Sequence, residues 1–500
     1  MSDDAFIQDE GTTFPGKTYR EELLSHVFSL QRDYLLQAML TVHQAHVIML
    51  EETGIIVTKE AAAMLQGLAS IQQLEGSQFC YDPAFEDLFF LIDHKLAEEI
   101  GSDTAGNLHI GRSRNDLGVT MYRIVLRDHL LQLVTEIVRL KEALWMQAKK
   151  HVDTVMTAYT HTQPAQPTTF GHYVTAIYDV LERDLNRVKA AYHTVNSSPL
   201  GAAALATTSF PINRERTCAL LGFEALVENS YDAIAGADYL VETATALQSL
   251  MINIGRWVQD FLCFVTRERG AITVADPYVQ ISSIMPQKRN PVSLEHARSL
   301  ASGAVGAAQT VLQMIHNTPF GDIVDTEDDL QPYLYDSFSK ATRVLRLLTA
   351  VIRTMTVNKA TLANSAKEAC ITITELADIL TANDHVPLRQ AHAAASLVAK
   401  HCTMQKKELA DLQVSEVNTL LSAYLPKGIT AAQWETICSP AHFIFRRTVR
   451  GGPHPQEVER MLKTREEQHK HQQQWLQTEQ QRLKTAAAVR QAAANRLVTP

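Results

Sequence analysis

The most constraining feature of this sequence is a pair of long stretches in which apolar residues recur at alternating spacings of four and three. The first stretch contains Leu126, Leu130, Leu133, Ile137, Leu140 and Leu144. The second contains Leu240, Ala244, Leu247, Met251, Ile254, Val258, Phe261 and Val265. This spacing lines apolar side chains along one side of a helix, and it is typical of long helices that pack side by side at a shallow angle.

A third and looser stretch of the same kind runs from Val174 to Val195, whereas alternating strand patterns are nearly absent. Three long helices in one region predict an all-α fold built on a long helical bundle. Such a bundle commonly buries its excess apolar surface against copies of itself, so we expect a helical homo-oligomer.

Five hundred residues are more than one hydrophobic core usually organises, so we expect several subdomains. The predicted divisions are a mobile tail (1–18), an N-terminal helical domain (19–116), the long-helix bundle (117–357), a small C-terminal helical domain (358–454) and a polar helical tail (455–500). Breaks such as Pro387 and Pro440 shorten the helices of the C-terminal domain. The composition of the final tail, rich in Gln, Lys, Arg, Glu and Ala, favours an exposed or frayed helix.

Charge and composition exclude several classes of protein. A net charge of −9 argues against a general nucleic-acid binder, and no apolar run is long enough to span a bilayer. The first residues have neither the basic region nor the apolar region of a secretory signal. The six cysteines contain no CxxC pair, so we expect no zinc site and reduced thiols in a cytoplasmic protein.

Three polar clusters interrupt the helical pattern. The first is the stretch from Val279 to Pro291, which Pro286 and Pro291 keep from being helical and which contains two serines, a lysine and an arginine. The second is Gly111-Arg-Ser-Arg-Asn-Asp116, whose arginines suit a carboxylate. The third surrounds His161, in Tyr159-Thr-His-Thr-Gln-Pro-Ala-Gln-Pro167. Taken singly, each also fits a plain alternative: a polar corner, a helix-capping turn, and a loop histidine without a catalytic role.

Together the clusters lack the parts of several common chemistries. The sequence has no GxSxG, P-loop or HExxH motif, and no dinucleotide fingerprint after a strand. The clusters provide anion-binding groups, hydroxyls, one histidine and one carboxylate. This set suits removal of a proton next to a carboxylate, with the resulting dianion held by Lys, Asn and backbone donors and without a cofactor or metal.

These stretches also resemble a known family. Ser282-Ser-Ile-Met-Pro-Gln-Lys-Arg-Asn-Pro291 is similar to the signature loop of the fumarase/aspartase superfamily, and its Gln-Lys pair resembles the argininosuccinate lyase family in particular. Further matches follow the same order as in that family. They are Gly111–Asp116, Tyr159–Gln163, Ser198–Gly201, Phe210–Arg216, Leu376–Asp378 and Gln390–His392.

The resemblance implies a homotetramer whose central domains form a twenty-helix bundle, with each active site gathered from three chains. It also implies a cofactor-independent lyase that releases fumarate from a small dicarboxylate substrate by anti β-elimination through an aci-carboxylate intermediate. Argininosuccinate, giving arginine and fumarate, is the default substrate.

The resemblance also assigns roles to single residues. Ser282 matches the base that removes the Cβ proton, and Lys288 and Asn290 match the residues that stabilise the dianion. His161 matches a proton relay, with Glu295 as its carboxylate partner. The residues matched to substrate binding, or lying within the matched motifs, are Ser113, Arg114, Asn115, Thr160, Gln163 and Met285. A covalent role for Ser282 is the competing idea, but no base–nucleophile spacing favours it.

One departure from the family bears on the substrate. The tyrosine, lysines and glutamine expected near residue 325 to hold the amino-acid end of arginine are replaced by Phe320-Gly-Asp-Ile-Val-Asp-Thr-Glu-Asp-Asp-Leu330. Clustered carboxylates favour an amine, unless they cap a helix or face solvent. An alternative is therefore an ethylenediamine-N,N′-disuccinate (EDDS) type lyase, and a different class of alternative is an inactive, crystallin-like homologue.

Overall fold

The computed structural model describes residues 3–499. An apolar core in its N-terminal part also includes residues of later segments, such as Leu117, Leu220 and Leu497. Seven α-helices are described in this part of the chain. They are α1 (Asp3–Glu10), α2 (Lys17–Tyr19), α3 (Ser25–Leu30), α4 (Leu36–Glu52), α5 (Thr58–Gln72), α6 (Leu88–Ile100) and α7 (Ser102–Gly106). Two π-helical turns, Arg20–Leu24 and Gln31–Leu35, join α2, α3 and α4. The predicted mobile tail therefore contains a helix, α1, and Thr18 hydrogen-bonds the carboxylate of Glu10.

The central part contains the long helices. Its elements are α8 (Arg114–Lys150), α9 (Phe170–Val195), α10 (Arg214–Leu221), α11 (Ser230–Ala235), α12 (Asp238–Phe264), α13 (Val292–Ile315) and α14 (Gln331–Thr354). Five of them, α8, α9, α12, α13 and α14, pack against one another as a bundle. Every residue of the first apolar seam is buried in the bundle core, and so is the second seam as far as Phe261. The prediction of an all-α fold on a long bundle is confirmed.

The last part begins with short helices, and those between residues 373 and 438 surround a third core. The short helices are α15 (Lys359–Ser365), α16 (Ile373–Ala382), α17 (Leu388–Gln405), α18 (Val414–Leu421), α19 (Ala431–Cys438) and α20 (Pro440–Phe445). The final helix, α21 (Pro455–Val498), is 44 residues long. It is not a frayed extension, because it packs along α8 and α9 and reaches α4, α5 and α10. Leu476 and Leu497 are buried in that contact.

Short strands also occur, where we expected almost none. They are β1 (Val155–Thr160), β2 (Gln163–Thr169), β3 (Ser197–Ser198), β4 (Ala225–Leu226), β5 (Ile272–Thr273), β6 (Gln280–Ile281), β7 (Arg289–Asn290) and β8 (Thr356–Val357). They form the two-stranded sheets β1–β2, β3–β4, β5–β8 and β6–β7, of which only β3–β4 is parallel. These small sheets lie at the ends of the bundle helices, so they shape the loops that carry the predicted site residues.

The bundle has two well-separated ends. With 37 residues, α8 is about 55 Å long at 1.5 Å per residue. At the end where α8 begins, which we call the Asp116 end, Asp116 binds the loop that follows β3, and Asn115 binds Asp322. At the opposite end, which we call the His161 end, lie the β1–β2 hairpin and the paired strands β5 and β8. Within residues 3–499, no helix is both long and apolar enough to cross a bilayer.

Candidate active site

The polar cluster Gly111–Asp116 forms the N-terminus of α8. Ser113 caps the helix: its backbone N–H donates to Asp116 Oδ1 at 2.9 Å, while its hydroxyl donates to Asn115 Oδ1 at 2.5 Å. The side chains of Ser113, Arg114 and Asn115 therefore surround the positive end of the helix dipole. This is an arrangement that suits a carboxylate.

Asp116 connects this turn to the loop that contains Ser198-Pro-Leu-Gly201. Its second carboxylate oxygen accepts hydrogen bonds from the backbone N–H groups of Gly201 at 2.8 Å and Ala203 at 3.1 Å. Burial raises the pKa of Asp116 to about 6, against the lowering effect of these bonds. We assigned no role to Asp116 from the sequence, although its position three residues after Ser113 is the capping-box signal.

The two arginines of the cluster differ in their surroundings. Arg112 is buried and donates to His43 Nδ1 at 2.9 Å, and burial lowers the pKa of His43 well below its ordinary value, so that ring is neutral. Arg114 reaches the cavity beside α8, where it pairs with Glu86 at 3.2 Å and Asp87 at 3.1 Å. A substrate carboxylate at Arg114 would compete with those two pairs.

A cavity of about 290 Å³ opens beside Arg114 and Asn115. The carboxylates that line it are Glu86, Asp87, Asp322, Glu327, Asp328 and Asp329. The stretch that departs from the family pattern therefore does not simply face solvent, because it forms one wall of the cavity at the α8 N-terminus. Asp325 is exposed and lies outside the lining.

Two carboxyl groups of this wall hold their protons unusually tightly. Burial and the neighbouring carboxyl of Asp322, which shares a hydrogen bond with it, raise the pKa of Glu327 to about 8. Burial also raises the pKa of Asp328, whose oxygens accept from the Tyr122 hydroxyl at 3.0 Å and the Gln31 amide at 2.9 Å. The cavity is thus acidic, but less negative at neutral pH than its carboxyl count indicates.

The polar cluster around His161 is the turn of the β1–β2 hairpin. Thr160 pairs with Gln163, and the two residues between them, His161 and Thr162, have φ of 52° and 63°. Two consecutive positive φ values are typical of a type I′ turn. His161 is exposed at the tip of this hairpin, so its ring is available to a surface outside the hairpin.

The polar cluster Val279–Pro291 contains the loop between β6 and β7. Ser282 Oγ accepts from the backbone N–H groups of Met285 at 3.1 Å and Ile284 at 3.4 Å, and the Lys288 N–H donates to Met285 O at 2.9 Å. Lys288 is exposed and Asn290 is half-buried in β7. The prediction that this stretch is a loop between long helices is confirmed.

The structure does not bring all the predicted site residues together in one chain. His161 and Ser282 belong to the His161 end, whereas Arg114 and Asn115 belong to the Asp116 end. Glu295 is exposed in the first turn of α13, and among residues 3–499 no hydrogen bond or ion pair joins it to His161. No group of three or more His, Cys, Asp or Glu side chains in the described chain is arranged to hold a metal ion.

Comparison with known proteins places the chain in a family. A family model described as lyase matches residues 25–306, and one described as argininosuccinate lyase C-terminal matches residues 370–444. Argininosuccinate lyase 2 of Agrobacterium fabrum is 41% identical over 90% of this chain and 90% of that protein. The chain belongs to the argininosuccinate lyase family. Argininosuccinate lyase of Methanocaldococcus jannaschii is 35% identical over 90% of this chain and 92% of that protein.

Solved structures agree with this family. EDDS lyase in complex with formate superposes with a TM-score of 0.86 at 30% identity and covers 99% of both chains. Class II fumarase from Schistosoma mansoni, at 15% identity and a TM-score of 0.67, covers 83% of this chain and 90% of its own, and shares the fold. The chain is thus a carbon–nitrogen lyase by family, with the fold of the fumarase/aspartase superfamily.

Proposed function

We propose that this protein cleaves argininosuccinate into arginine and fumarate by anti β-elimination. The observation that carries the proposal is the 41% identity to an argininosuccinate lyase over nine-tenths of both chains. The residues that the reaction needs are present in their expected loops: Ser282, Lys288 and Asn290 between the long helices, and Asn115 at the start of α8.

Ser282 is the proposed base that removes the Cβ proton of the succinyl group. A serine hydroxyl is a poor base unless its alkoxide is stabilised. The two backbone N–H groups that donate to Ser282 Oγ supply part of that stabilisation, because hydrogen bonds to a developing anion favour it. Lys288 and Asn290 lie six and eight residues later and hold the aci-carboxylate that forms when the proton leaves.

Each active site is proposed to combine three copies of the chain in a homotetramer. About 55 Å of helix separates Asn115 from the far end of α8, so one chain cannot supply all three clusters to one small substrate. Antiparallel packing of a second bundle brings the Asp116 end of one copy against the His161 end of another. Five long helices per chain give the twenty of the proposed tetrameric core.

A second candidate function is favoured by the acidic cavity. Six carboxylates and one arginine line the space beside Asn115. The α-carboxylate of arginine would be repelled there, whereas a leaving amine without a carboxylate would be attracted. An EDDS-type substrate, which releases fumarate and an N-substituted aspartate or a diamine, is therefore the alternative.

The two candidates are separated by following fumarate absorbance with argininosuccinate and EDDS under the same conditions. The reverse reaction is tested with fumarate plus either arginine or ethylenediamine. Release from argininosuccinate and addition of arginine are expected; activity with EDDS and ethylenediamine only would replace the first candidate by the second.

The Ser282→Ala variant is the control for the chemistry. We expect it to abolish fumarate release from whichever substrate is active. An unchanged rate would overturn the proposed mechanism, and a wild-type protein inactive in both directions would indicate an inactive homologue.

A further inference from the structure

The wall of the acidic cavity contains two carboxyl groups in direct contact. Asp322 and Glu327 share a side-chain hydrogen bond, and the Asn115 amide donates to Asp322 Oδ2. Two carboxyl groups that share a hydrogen bond cannot both be ionised without strong repulsion, so the contact requires a proton between them. Glu327 is half-buried whereas Asp322 is exposed, which favours keeping that proton on Glu327.

The position of the Asp322–Glu327 pair also places it near the substrate, whatever the charge of the pair. Asn115 is matched to the residues that bind the fumarate half, and both acids line the cavity beside it. The bond that breaks joins the leaving nitrogen to the carbon skeleton of that half. The pair therefore lies on the side of the site where the amine departs, whereas Ser282 belongs to a loop at the opposite end of the bundle and comes from another copy.

We propose that Glu327, paired with Asp322, is the proton donor to the leaving nitrogen. This inference rests on the proposed function. It holds for either candidate substrate, because a guanidine and an amine both take up a proton as they leave.

The step balances without a further reactant. Ser282 of a neighbouring copy accepts the Cβ proton, and the electron pair left on carbon forms the new C=C bond. The C–N bond breaks with its electron pair going to nitrogen, and the shared proton of the acid pair goes to that nitrogen. Water then returns a proton to Glu327 and accepts one from Ser282. The acid pair, now anionic, faces a cationic product until the amine departs.

The inference is tested by the pH profile of kcat for fumarate release. In the wild type kcat should fall above pH ~8, where Glu327 loses its proton. Glu327→Gln should lower kcat by roughly 10²-fold or more, as expected for loss of a general acid. The pH profile of this variant should not show the decrease of kcat above pH ~8, the alkaline limb of the wild-type profile. Asp322→Asn should keep the limb but move it to lower pH, because the neighbouring charge that favours protonation of Glu327 is gone.

Asp325→Asn is the matched control. It removes the same charge from the same stretch but lies outside the cavity lining, so its profile should follow the wild type. If Glu327→Gln is folded by circular dichroism and retains a wild-type kcat and alkaline limb, the inference is wrong while the proposed function stands. If it does not fold, the limb of Asp322→Asn decides, and an unmoved limb overturns the inference. A wild type that releases no fumarate overturns both.

Discussion

The side-chain amide of Asn115 donates a hydrogen bond to the carboxylate of Asp322, which follows it by 207 residues. This bond joins the N-terminus of α8, matched to the common fumarate half, to the stretch in which the chain departs from its family. Under the proposed function, one chain and one cavity therefore contain both a residue matched to the shared half of the substrate and the stretch expected to contact the variable half.

Glu327 should make the protein less stable as the pH rises. Its pKa in the folded chain, about 8, is above its ordinary value of 4.5, so the folded state retains a proton that the unfolded state loses. The stability from this group is complete below pH ~4.5 and is lost as the pH rises through ~8. Glu327→Gln removes this loss, so its Tm relative to wild type should be higher at pH 8 than at pH 5. Calorimetry at both pH values tests this. An equal Tm difference at both pH values, or a Tm of the variant relative to wild type that is higher at pH 5 than at pH 8, would contradict it.

A buried ion pair holds α8 to α9. The ammonium of Lys141, whose side chain is 0% exposed, contacts the carboxylate of Glu182 and lies 4.6 Å from the centre of the Tyr178 ring. Glu182→Ala leaves that ammonium unpaired, and we expect a loss of about 3–5 kcal/mol in the free energy of unfolding. The double variant Lys141→Met/Glu182→Leu should recover most of it.

Chemical denaturation measures both effects. Glu466→Ala breaks an exposed pair with Lys470 on α21 and is the matched control, expected to leave the midpoint unchanged. A Glu182→Ala midpoint equal to that of the control would show that Lys141 reaches water or another partner.

The bundle was predictable because its signal is local. Each apolar seam, such as the one from Leu126 to Leu144, lies within a single helix. The spacing of its residues alone predicts that one side of that helix is buried. The seams do not indicate which helices pack against one another. The five-helix arrangement could not be derived from them, although the resemblance to the family implied a long helical bundle.

The docking of α21 was not predictable from its composition. Large apolar residues are few in this helix, and much of its contact is polar: Arg490 donates to the Leu220 carbonyl at 2.8 Å, and Tyr192 donates to Glu479 at 2.9 Å. Such bonds connect residues hundreds of positions apart and leave no periodic pattern. The β1–β2 hairpin was also missed. Pro164 and Pro167 argue against a strand, except at the edge of a sheet.

The candidate site residues could be named from the sequence, but the contacts between them could not. Ser282 and His161 belong to recognisable motifs, and the loop and turn positions follow from nearby prolines. The bond between Asn115 and Asp322 depends on how α13 and α14 place a distant loop. No spacing between those two residues indicates it.

The stability of the turn that presents His161 should depend on which residue occupies position 162. Thr162 has φ of 63°, which a β-branched residue adopts only with strain, while glycine adopts it freely. Thr162→Gly should therefore be more stable than Thr162→Val by about 1–2 kcal/mol. Thermal unfolding compares the two variants, and fumarate release should be retained in Thr162→Gly. Equal stabilities would mean that the turn relaxes out of the left-handed region.

Site sharing predicts complementation between two inactive variants. Asn115→Ala damages the Asp116 end and Ser282→Ala the His161 end, so each variant produced alone should be inactive. If different copies supply these residues, co-expression at equal amounts leaves both intact in about one-half times one-half, or roughly a quarter, of the sites. Fumarate release by the co-purified mixture measures this recovery. Ser282→Ala mixed with Lys288→Ala is the control, because both changes lie in one loop of one chain and every site stays damaged. No recovery in the first mixture, or equal recovery in both, would refute sites shared between chains.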